Sequence, residues 1–282
     1  MREIKRPIFI VGSPRSGTNV FYYKFAQHPA LAWVSNITKK LPDSIMLTRL
    51  LMMFRNDHRP TEAKNIWGRY SRGDDDFLAA EHATPSAKKF MRKVVSNHLK
   101  LFNKPRFVNK YPRNSVRIEF LNAIFPDACF IHVIRDGRAV AHSILRAREK
   151  HENQFWGVRP PGWRELLGIP IIEACAMQWK LAVECALDSA AKIEPERYTE
   201  IRYEEFCREP IQTLRHAGER CGLEWSEQQL AELASDIENR NAPAQFMVVR
   251  YEDVDGMILS TLGQTFRSRP TSSDLTRLSA LS

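Results

Sequence analysis

The chain has 282 residues, and its 42 lysines and arginines against 33 acidic residues give a formal net charge of +9. This length fits one large α/β domain, or one domain with a small helical lobe. The positive charge fits an anionic ligand or surface, although a basic excess that serves solubility alone explains it equally well. Nucleic acid is disfavoured, because there is no block of five or six basic residues and no zinc-finger or RNA-recognition signature.

The cysteines and the apolar runs indicate the compartment. The five cysteines are an odd number with no CxxC pair, which favours packed, reduced thiols over metal ligation or a cysteine nucleophile. The apolar run Ile8–Val11 is too short for the core of a signal peptide. The run 45–54 is interrupted by Thr48 and Arg49 and is far short of the about 20 residues that a membrane span needs. We therefore expect a cytoplasmic protein without a transmembrane segment.

The predicted elements alternate between short apolar strands and helices. Strands are expected at 8–11, 106–109, 128–134 and 199–203. Helices are expected at 18–27, 85–102, 116–125, 172–191, 210–222 and 226–237, with one more directly after Arg135. Apolar strands separated by helices predict a parallel sheet of P-loop type that is flanked by helices on both faces. We interpret residues 1–282 as a single domain with a helical cap insertion at 30–105 and a loosely attached tail at 250–282.

A glycine-containing loop follows the first strand. Its sequence, Gly-Ser-Pro-Arg-Ser-Gly-Thr over residues 12–18, leads directly into a helix. Glycines allow backbone N–H groups to converge on an anion, and the helix N-terminus adds its positive end. The loop differs from the Walker pattern of nucleotide kinases, which would have lysine where Thr18 stands. Its cation, Arg15, lies inside the loop. The pattern predicts a phosphate cradle, with a structural turn that exposes Arg15 as the alternative.

At this loop the sequence resembles the sulfotransferases that use 3′-phosphoadenosine 5′-phosphosulfate (PAPS). It looks like a bacterial-type member that is distantly similar to the tyrosylprotein and carbohydrate sulfotransferases. Their donor loop has the form PRSGT or PKSGT directly after the first strand. The resemblance implies that Arg15 neutralises charge on the transferring sulfuryl group. It also implies that the 5′-phosphosulfate is held by Pro14, Arg15, Ser16, Gly17, Thr18 and Asn19.

A second motif follows the strand 128–134. Arg135 ends the strand and Ser143 lies eight residues further on, in the next helix. In the family resembled, an arginine and a serine at this spacing build the site for the 3′-phosphate. An arginine fork suits phosphate oxygens, and a hydroxyl completes the grip. The alternative is a surface turn with Ser143 facing solvent.

Two further positions match the family. Lys110 ends the second strand, where the family keeps its catalytic lysine, and there it would stabilise the leaving oxygen between sulfur and phosphorus. Tyr203 lies in a segment similar to the YED-type segment of the family, which implies that it faces the adenine. Packing in the core is an alternative for Tyr203, and simple solvation is one for Lys110.

The sequence departs from the family at the catalytic base. Cytosolic members carry histidine two residues after the lysine, where this chain has Pro112. Tyrosylprotein members carry glutamate at the position aligned with Asn36. The remaining candidate bases are Glu62, Glu81 and His82, with His58 as a weaker one. The glycine-rich C-terminal clamp of the family is not visible either, although Arg240 is a possible substitute. The adenine-stacking tryptophan is unassigned; Trp33, Trp67, Trp156 and Trp163 are expected to line the acceptor cleft or to pack in the core.

These residues predict sulfuryl transfer from PAPS to a hydroxyl of a carbohydrate or glycolipid, with a small phenol or alcohol as the main alternative acceptor. No metal is expected, since Arg15 and Lys110 supply the positive charge. Two other classes of protein stay open. One is a P-loop kinase that uses Asp136 as a magnesium ligand, and the other is a non-catalytic nucleotide-binding module.

Overall fold

The computed structural model describes residues 2–54, 59–71, 73–152 and 154–238, which fall within one compact unit, residues 1–242. Within these residues a parallel sheet has the strand order β2-β3-β1-β4-β5. Its strands are β1 (Ile8–Val11), β2 (Leu31–Ala32), β3 (Arg106–Lys110), β4 (Cys129–Ile134) and β5 (Tyr198–Arg202). The structure thereby confirms the predicted parallel α/β sheet.

Helices connect the strands, as parallel neighbours require. They are α1 (Thr18–Phe25), α2 (Ile45–Met53), α3 (Lys64–Trp67), α4 (Pro85–Leu101), α5 (Ile118–Ile124), α6 (Gly137–Glu149), α7 (Ile171–Ala190), α8 (Tyr203–Arg208), α9 (Pro210–Cys221) and α10 (Glu227–Glu238). Short 3₁₀ turns lie at Thr38–Lys40, Ala80–His82, Pro112–Val116, Trp163–Gly168 and Pro195–Arg197. None of the helices in the described ranges is long and apolar enough to cross a membrane.

Alternate residues of each strand enter two separate cores, because successive side chains point to opposite faces of a sheet. Phe9 of β1 belongs to a core that side chains of α4, α5 and α7 complete. Ile8 and Ile10 belong to a second core, built with α1, α8, α9 and α10. Helices therefore cover both faces, which leaves the two ends of the sheet as the places for a site.

The register brings the carboxyl ends of the central strands to one edge. Ile10 of β1 lies beside Lys110 of β3, and Val11 lies beside His132 of β4. The loop after β1, Lys110, and the residues that follow β4 and β5 therefore meet there. Ligands of open α/β sheets bind at such an edge.

The region 30–105 contains more than the predicted cap helices. Strand β2 adds to the edge of the sheet beside β3, where Leu31 pairs with Arg106. A two-residue strand has too little periodicity to be recognised in a sequence. Helix α4 packs its apolar side, including Met91 and Val94, into the core that contains Phe9. The tail predicted at 250–282 lies outside the described residues.

Candidate active site

The loop after β1 is closed by two glycines at positive φ. A Cβ on Gly12, at φ 148°, would lie 2.5 Å from the carbonyl oxygen of Val133. A Cβ on Gly17, at φ 82°, would lie 2.1 Å from the ring of Tyr203. A side chain at Gly12 would overlap the backbone of β4, and one at Gly17 would require the Tyr203 ring to move. The loop therefore packs closely against β4 and against the residue that follows β5. Helix α1 begins directly afterwards, at Thr18.

Arg15 and Arg135 meet above this loop. Arg15 Nε donates a hydrogen bond to Ser143 Oγ at 2.8 Å. Arg135 Nη1 donates to the carbonyl oxygen of Arg15 at 3.3 Å, and its guanidinium carbon lies 4.7 Å from the centre of the Tyr203 ring. Ser143 is buried against Arg15 rather than facing solvent. The structure thus brings together the four side chains that the two motifs and the strand-end tyrosine predict.

Lys110 is the most deeply buried cation of this edge, at 1% exposure. Its ammonium donates to the Glu62 carboxylate in an ion pair. Burial lowers the pKa of Lys110, whereas the charge and the hydrogen bond of Glu62 oppose that shift. The sequence names Glu62 as one of several candidate bases, and the structure places it in contact with the predicted catalytic lysine.

These residues line a cavity of about 610 Å³. Its walls come from the loop after β1 (Pro14, Arg15, Gly17, Thr18, Asn19), from the ends of β3 and β4 (Lys110, Arg135), and from Glu62, Ser143, Tyr203 and the segment 155–159. The Ser16 hydroxyl is buried beneath the loop and has no hydrogen-bond partner among the described residues. We call this space the donor-side cavity.

The segment 155–159 is held over the donor-side cavity by Gln178, which sequence reasoning missed. Gln178 Nε2 donates to the carbonyl oxygens of Trp156 at 2.8 Å and Val158 at 2.6 Å, and its Oε1 accepts from Arg148 at 2.8 Å. The available signal was a glutamine on the apolar side of the predicted helix 172–191. A buried amide in such a position requires partners.

A second cavity, of about 830 Å³, opens on the other side of Glu62. It shares Asn19, Glu62, Lys64, Tyr111 and Arg113 with the donor-side cavity. Polar residue types are in the majority among the other residues that line it: Tyr23, Lys39, Lys40, Thr61, Ala63, Asn65, Gly68 and Arg69. We call it the acceptor-side cavity. Glu62 and Lys110 therefore stand where two cavities meet.

Asp76 connects the walls of the two cavities and was not singled out in the sequence. Its carboxylate pairs with Arg113 at 2.9 Å and accepts from the backbone N–H of Arg159 at 2.9 Å. Buried Arg117 donates to the Asp76 carbonyl oxygen at 2.6 Å and to the Trp67 carbonyl oxygen at 2.7 Å. A single acidic residue thus fixes a cavity arginine and the segment above the donor side.

The other candidate bases lie elsewhere. Glu81 is exposed on the turn Ala80–His82, and His82 Nδ1 accepts from the Ala79 N–H at 2.9 Å. Neither residue lines the donor-side or the acceptor-side cavity. His58 and Arg240 lie outside the described residues. Of the candidates that the structure describes, only Glu62 reaches the edge of the sheet where the loops meet.

The tryptophans separate by position. Trp67 is buried in the core against Phe9, and Trp33 donates to the Ala26 carbonyl oxygen beside a different cavity. Trp163 packs on Phe155, while Trp156 lines the donor-side cavity. Trp156 is thus the tryptophan of the four that borders the donor side.

Asp136 is occupied as a helix cap. Its carboxylate accepts from the N–H groups of Arg138 at 2.9 Å and Ala139 at 3.3 Å, and it pairs with the Arg138 guanidinium. Burial raises the pKa of Asp136, but the bonds to Arg138 outweigh burial and hold it below its usual range. A carboxylate engaged in this way has little capacity left for a magnesium ion. No cluster of three or more potential metal-ligating acids, histidines or cysteines occurs in the ranges that the structure describes.

The structure is that of an α/β protein with a parallel sheet, and a glycine loop at a helix N-terminus and two arginines lie together at the carboxyl edge of that sheet, an arrangement that suits an anion. The sequence matches the model of the Sulfotransferase family over residues 7–227, and the chain belongs to that family.

Known relatives and structures agree with this assignment. Protein-tyrosine sulfotransferase A of Caenorhabditis elegans is 23% identical over 255 residues, which cover 89% of this chain and 60% of that protein. Nodulation protein NoeE of Sinorhizobium fredii is 28% identical over 151 residues, 53% of this chain and 32% of that protein. The chain thus spans less than two thirds of the length of either relative. Sulfotransferase STF9 of Mycobacterium avium has a similar fold, with a TM-score of 0.61 at 17% identity, over 93% of this chain and 77% of that chain.

Proposed function

We propose that this protein transfers the sulfuryl group of PAPS to a hydroxyl group. The observation that carries the proposal is the meeting of Arg15, Lys110 and Arg135 at one cavity, behind a glycine loop that opens a helix. The loop and Arg15 would hold the 5′-phosphosulfate. Arg135 would hold the 3′-phosphate together with Ser143, whose hydroxyl keeps a proton to donate while it accepts from Arg15.

The reaction is an in-line displacement at sulfur. The acceptor oxygen forms a bond to sulfur while the bond from sulfur to the bridging oxygen breaks, and adenosine 3′,5′-bisphosphate leaves. Negative charge grows on the bridging oxygen, where the Lys110 ammonium stabilises the transition state more than the ground state. No metal ion takes part in the proposal, because Arg15 and Lys110 provide the positive charge.

Glu62 is the proposed general base. Its side chain is 41% exposed between the two cavities and contacts Lys110. When Lys110 turns toward the donor, the carboxylate is left free to accept the proton of an acceptor hydroxyl. A positioned base contributes about 10²- to 10⁴-fold to the rate. Glu62→Gln should lower transfer by that factor and leave binding of the bisphosphate within about threefold, whereas the matched change Glu81→Gln should leave transfer unchanged. Equal effects of the two variants would remove Glu62 from the mechanism.

We propose a carbohydrate or glycolipid hydroxyl as the acceptor. Amides, lysines and arginines make up most of the residues that line the acceptor-side cavity, and Tyr23 adds an exposed aromatic side chain. Several polar donors beside an aromatic side chain suit the many hydroxyls of a sugar better than a simple phenol, which has a single hydroxyl on an apolar ring. Turnover with a panel of saccharides and glycolipids against simple phenols and alcohols tests this choice, and transfer to the phenols alone would contradict it.

The class of donor is tested by thermal melting of the purified protein. Adenosine 3′,5′-bisphosphate should raise the melting temperature without magnesium, since a ligand that binds the native state stabilises it by mass action. ATP with magnesium should do much less. Stabilisation by ATP that is equally strong and needs the metal would favour a kinase. Stabilisation by the bisphosphate, with no sulfuryl transfer to any acceptor and no donor hydrolysis, would favour a non-catalytic binding module.

A further inference from the structure

Helix α2 exposes large apolar side chains and buries a small polar one. The exposed fraction is 77% for Met46, 52% for Leu50, 77% for Met53 and 78% for Phe54, the residue after the helix. Thr48 is 3% exposed instead, and its hydroxyl donates to the Leu41 carbonyl oxygen at 2.8 Å. This is the reverse of the usual arrangement of a surface helix.

The exposed apolar residues form one continuous surface. At about 100° per residue, positions 46, 47, 50, 53 and 54 fall within an arc of about 120°. We call them the α2 apolar face: Met46, Leu47, Leu50, Met53 and Phe54. Scattered single apolar residues are ordinary on a protein surface, but a contiguous stripe on one helix marks a place where something binds.

The surroundings of this face are cationic. Helix α2 packs beside α4, and Asn97 of α4 donates to the Pro42 carbonyl oxygen just before α2. The sequence of α4 contains no acidic residue and carries the cations Lys88, Lys89, Arg92, Lys93 and Lys100. Lys93 and Lys100 are exposed. Lys93 lies four residues before Asn97 and Lys100 three residues after it, so all three residues are on the same face of the helix. Of these cations, Lys93 and Lys100 thus lie on the side of α4 that borders the start of α2.

We propose that the α2 apolar face docks onto an anionic lipid surface. A helix with an apolar face and neighbouring lysines binds in the membrane interface, where apolar side chains enter the acyl boundary and cations attract acidic headgroups. A second copy of the chain fits the face less well. A twofold interface would bring the same lysines of both copies together, and like charges opposed across an interface are unfavourable.

The position of the face gives docking a consequence for the site. The turn Thr38–Lys40, whose Lys39 and Lys40 line the acceptor-side cavity, lies five residues before α2 in the chain. Docking therefore holds that side of the molecule near the lipid headgroups. This inference goes beyond the proposed sulfuryl transfer and does not depend on it, because membrane binding is measured without donor or acceptor.

Flotation of the full-length protein with lipid vesicles tests the proposal. Binding is expected to vesicles in which about a third of the phosphatidylcholine is replaced by phosphatidylglycerol, and not to phosphatidylcholine alone. The double variant Leu50→Glu/Met53→Glu should lose at least about tenfold in binding. The double variant Lys93→Glu/Lys100→Glu should lose at least about fivefold in vesicle binding for each position, because each cation near an anionic surface contributes about 1 kcal/mol to binding.

Matched controls separate docking from loss of fold. Leu167→Glu places the same charge on a leucine that is 63% exposed elsewhere, and it should float like the wild type. Lys150→Glu does the same for an exposed lysine outside the cationic side of α4. Every variant should keep the wild-type melting temperature and its increase with adenosine 3′,5′-bisphosphate. That increase reports binding of the bisphosphate independently of vesicle binding, so a failure of the membrane proposal can be told apart from a failure of the proposed function.

Three results would overturn the proposal. The first is wild-type protein that does not float with anionic vesicles. The second is equal flotation of wild type and the Leu50→Glu/Met53→Glu variant. The third is a wild-type protein that does not bind vesicles but forms a concentration-dependent dimer in analytical ultracentrifugation, while the Leu50→Glu/Met53→Glu variant stays monomeric. That result would assign the face to a second copy of the chain.

Discussion

The donor-side and acceptor-side cavities share five lining residues, yet they are built in opposite ways. The donor side is assembled from residues at the ends of neighbouring strands, where Gly12 and Gly17 leave no space for a side chain. The acceptor side is assembled from α1 and from short helices and turns in residues 30–113, which side-chain hydrogen bonds of His98 and Arg117 tie together. Backbone geometry fixes the loop of the donor side, while Gln178 and Asp76 hold its segment 155–159. Polar side chains fix the acceptor side. Substitutions should therefore affect the two sides differently.

The largest effect is expected for the chemistry of the donor side. Lys110→Ala should lower sulfuryl transfer about a hundred- to a thousand-fold, the usual loss when one transition-state donor is removed. Affinity for the bisphosphate should stay within a few-fold, and Lys110→Arg should rescue poorly because a planar fork replaces a compact charge. Slow hydrolysis of PAPS serves as the assay without an acceptor, and the exposed Lys150→Ala serves as control. Undiminished turnover in Lys110→Ala would leave Arg15 as the only proposed cation at the transferring group.

A smaller effect is expected for recognition at the donor side. Arg135→Ala should weaken adenosine 3′,5′-bisphosphate about 10- to 150-fold, because a charged hydrogen bond contributes about 1.5–3 kcal/mol. Binding of adenosine 5′-phosphosulfate, which has no 3′-phosphate, should hardly change. Calorimetric titration of both ligands measures the difference, with Arg138→Ala as a neighbouring arginine outside the cavity. Equal losses for both ligands would place Arg135 away from the 3′-phosphate.

The glycine contacts of the donor side predict a loss of stability. Gly17→Ala and Gly162→Ala both introduce a side chain at φ near 80°, but a Cβ at Gly162 meets nothing within 4 Å. The overlap with the Tyr203 ring should cost Gly17→Ala about 1–3 kcal/mol more than its control, and should weaken the bisphosphate as well. Urea unfolding measures the first effect and calorimetry the second. Equal stabilities of the two variants would show that the ring moves aside freely.

The acceptor side should respond to acid through His98. This buried ring bonds the Val94 carbonyl oxygen and the Thr38 hydroxyl, and burial lowers its pKa from 6.5 to about 4. The unfolded chain therefore binds the proton first, so stability falls as the pH drops from about 6.5 to 4, by about 2 kcal/mol at pH 5. Buried His132 of β4, which lies at the donor-side edge, has its pKa lowered to about 3 and adds to this slope, so the acid response is not confined to the acceptor side. Urea unfolding at pH 7 and pH 5 should show a shallower slope for His98→Gln and an unchanged one for the exposed His216→Gln. A wild-type slope in His98→Gln would contradict the assignment.

The difference between the two sides also explains what the sequence predicts. The sheet and the loop around Arg15 follow from apolar runs and short spacings, which local geometry converts directly into structure. Lys110, Arg135 and Ser143 are singled out by the resemblance to the sulfotransferases, and the same apolar runs place Lys110 and Arg135 at strand ends. The choice of Glu62 over Glu81 does not follow from them, because it depends on how 48 residues of chain fold back onto Lys110. Gln178 and Asp76 are similar cases. Their roles depend on partners far away in the sequence, and the local pattern of apolar and polar residues does not indicate which distant residues will be in contact.

The exposure of the α2 apolar face could not be predicted from the sequence either. In the sequence, the run 45–54 is indistinguishable from a helix that packs in a core. Only the direction in which Thr48 points, into the protein rather than out of it, reveals that the apolar residues face outward.

The contact between Gly17 and Tyr203 has a consequence for how the protein is made. The loop is synthesised before the tyrosine ring that closes against it, and most of the described chain lies between them. Such distant pairings form late in folding. A nascent chain that has not reached β5 therefore carries an unfinished cradle, and the proposed binding of the donor should arise abruptly when β5 docks, rather than growing with chain length.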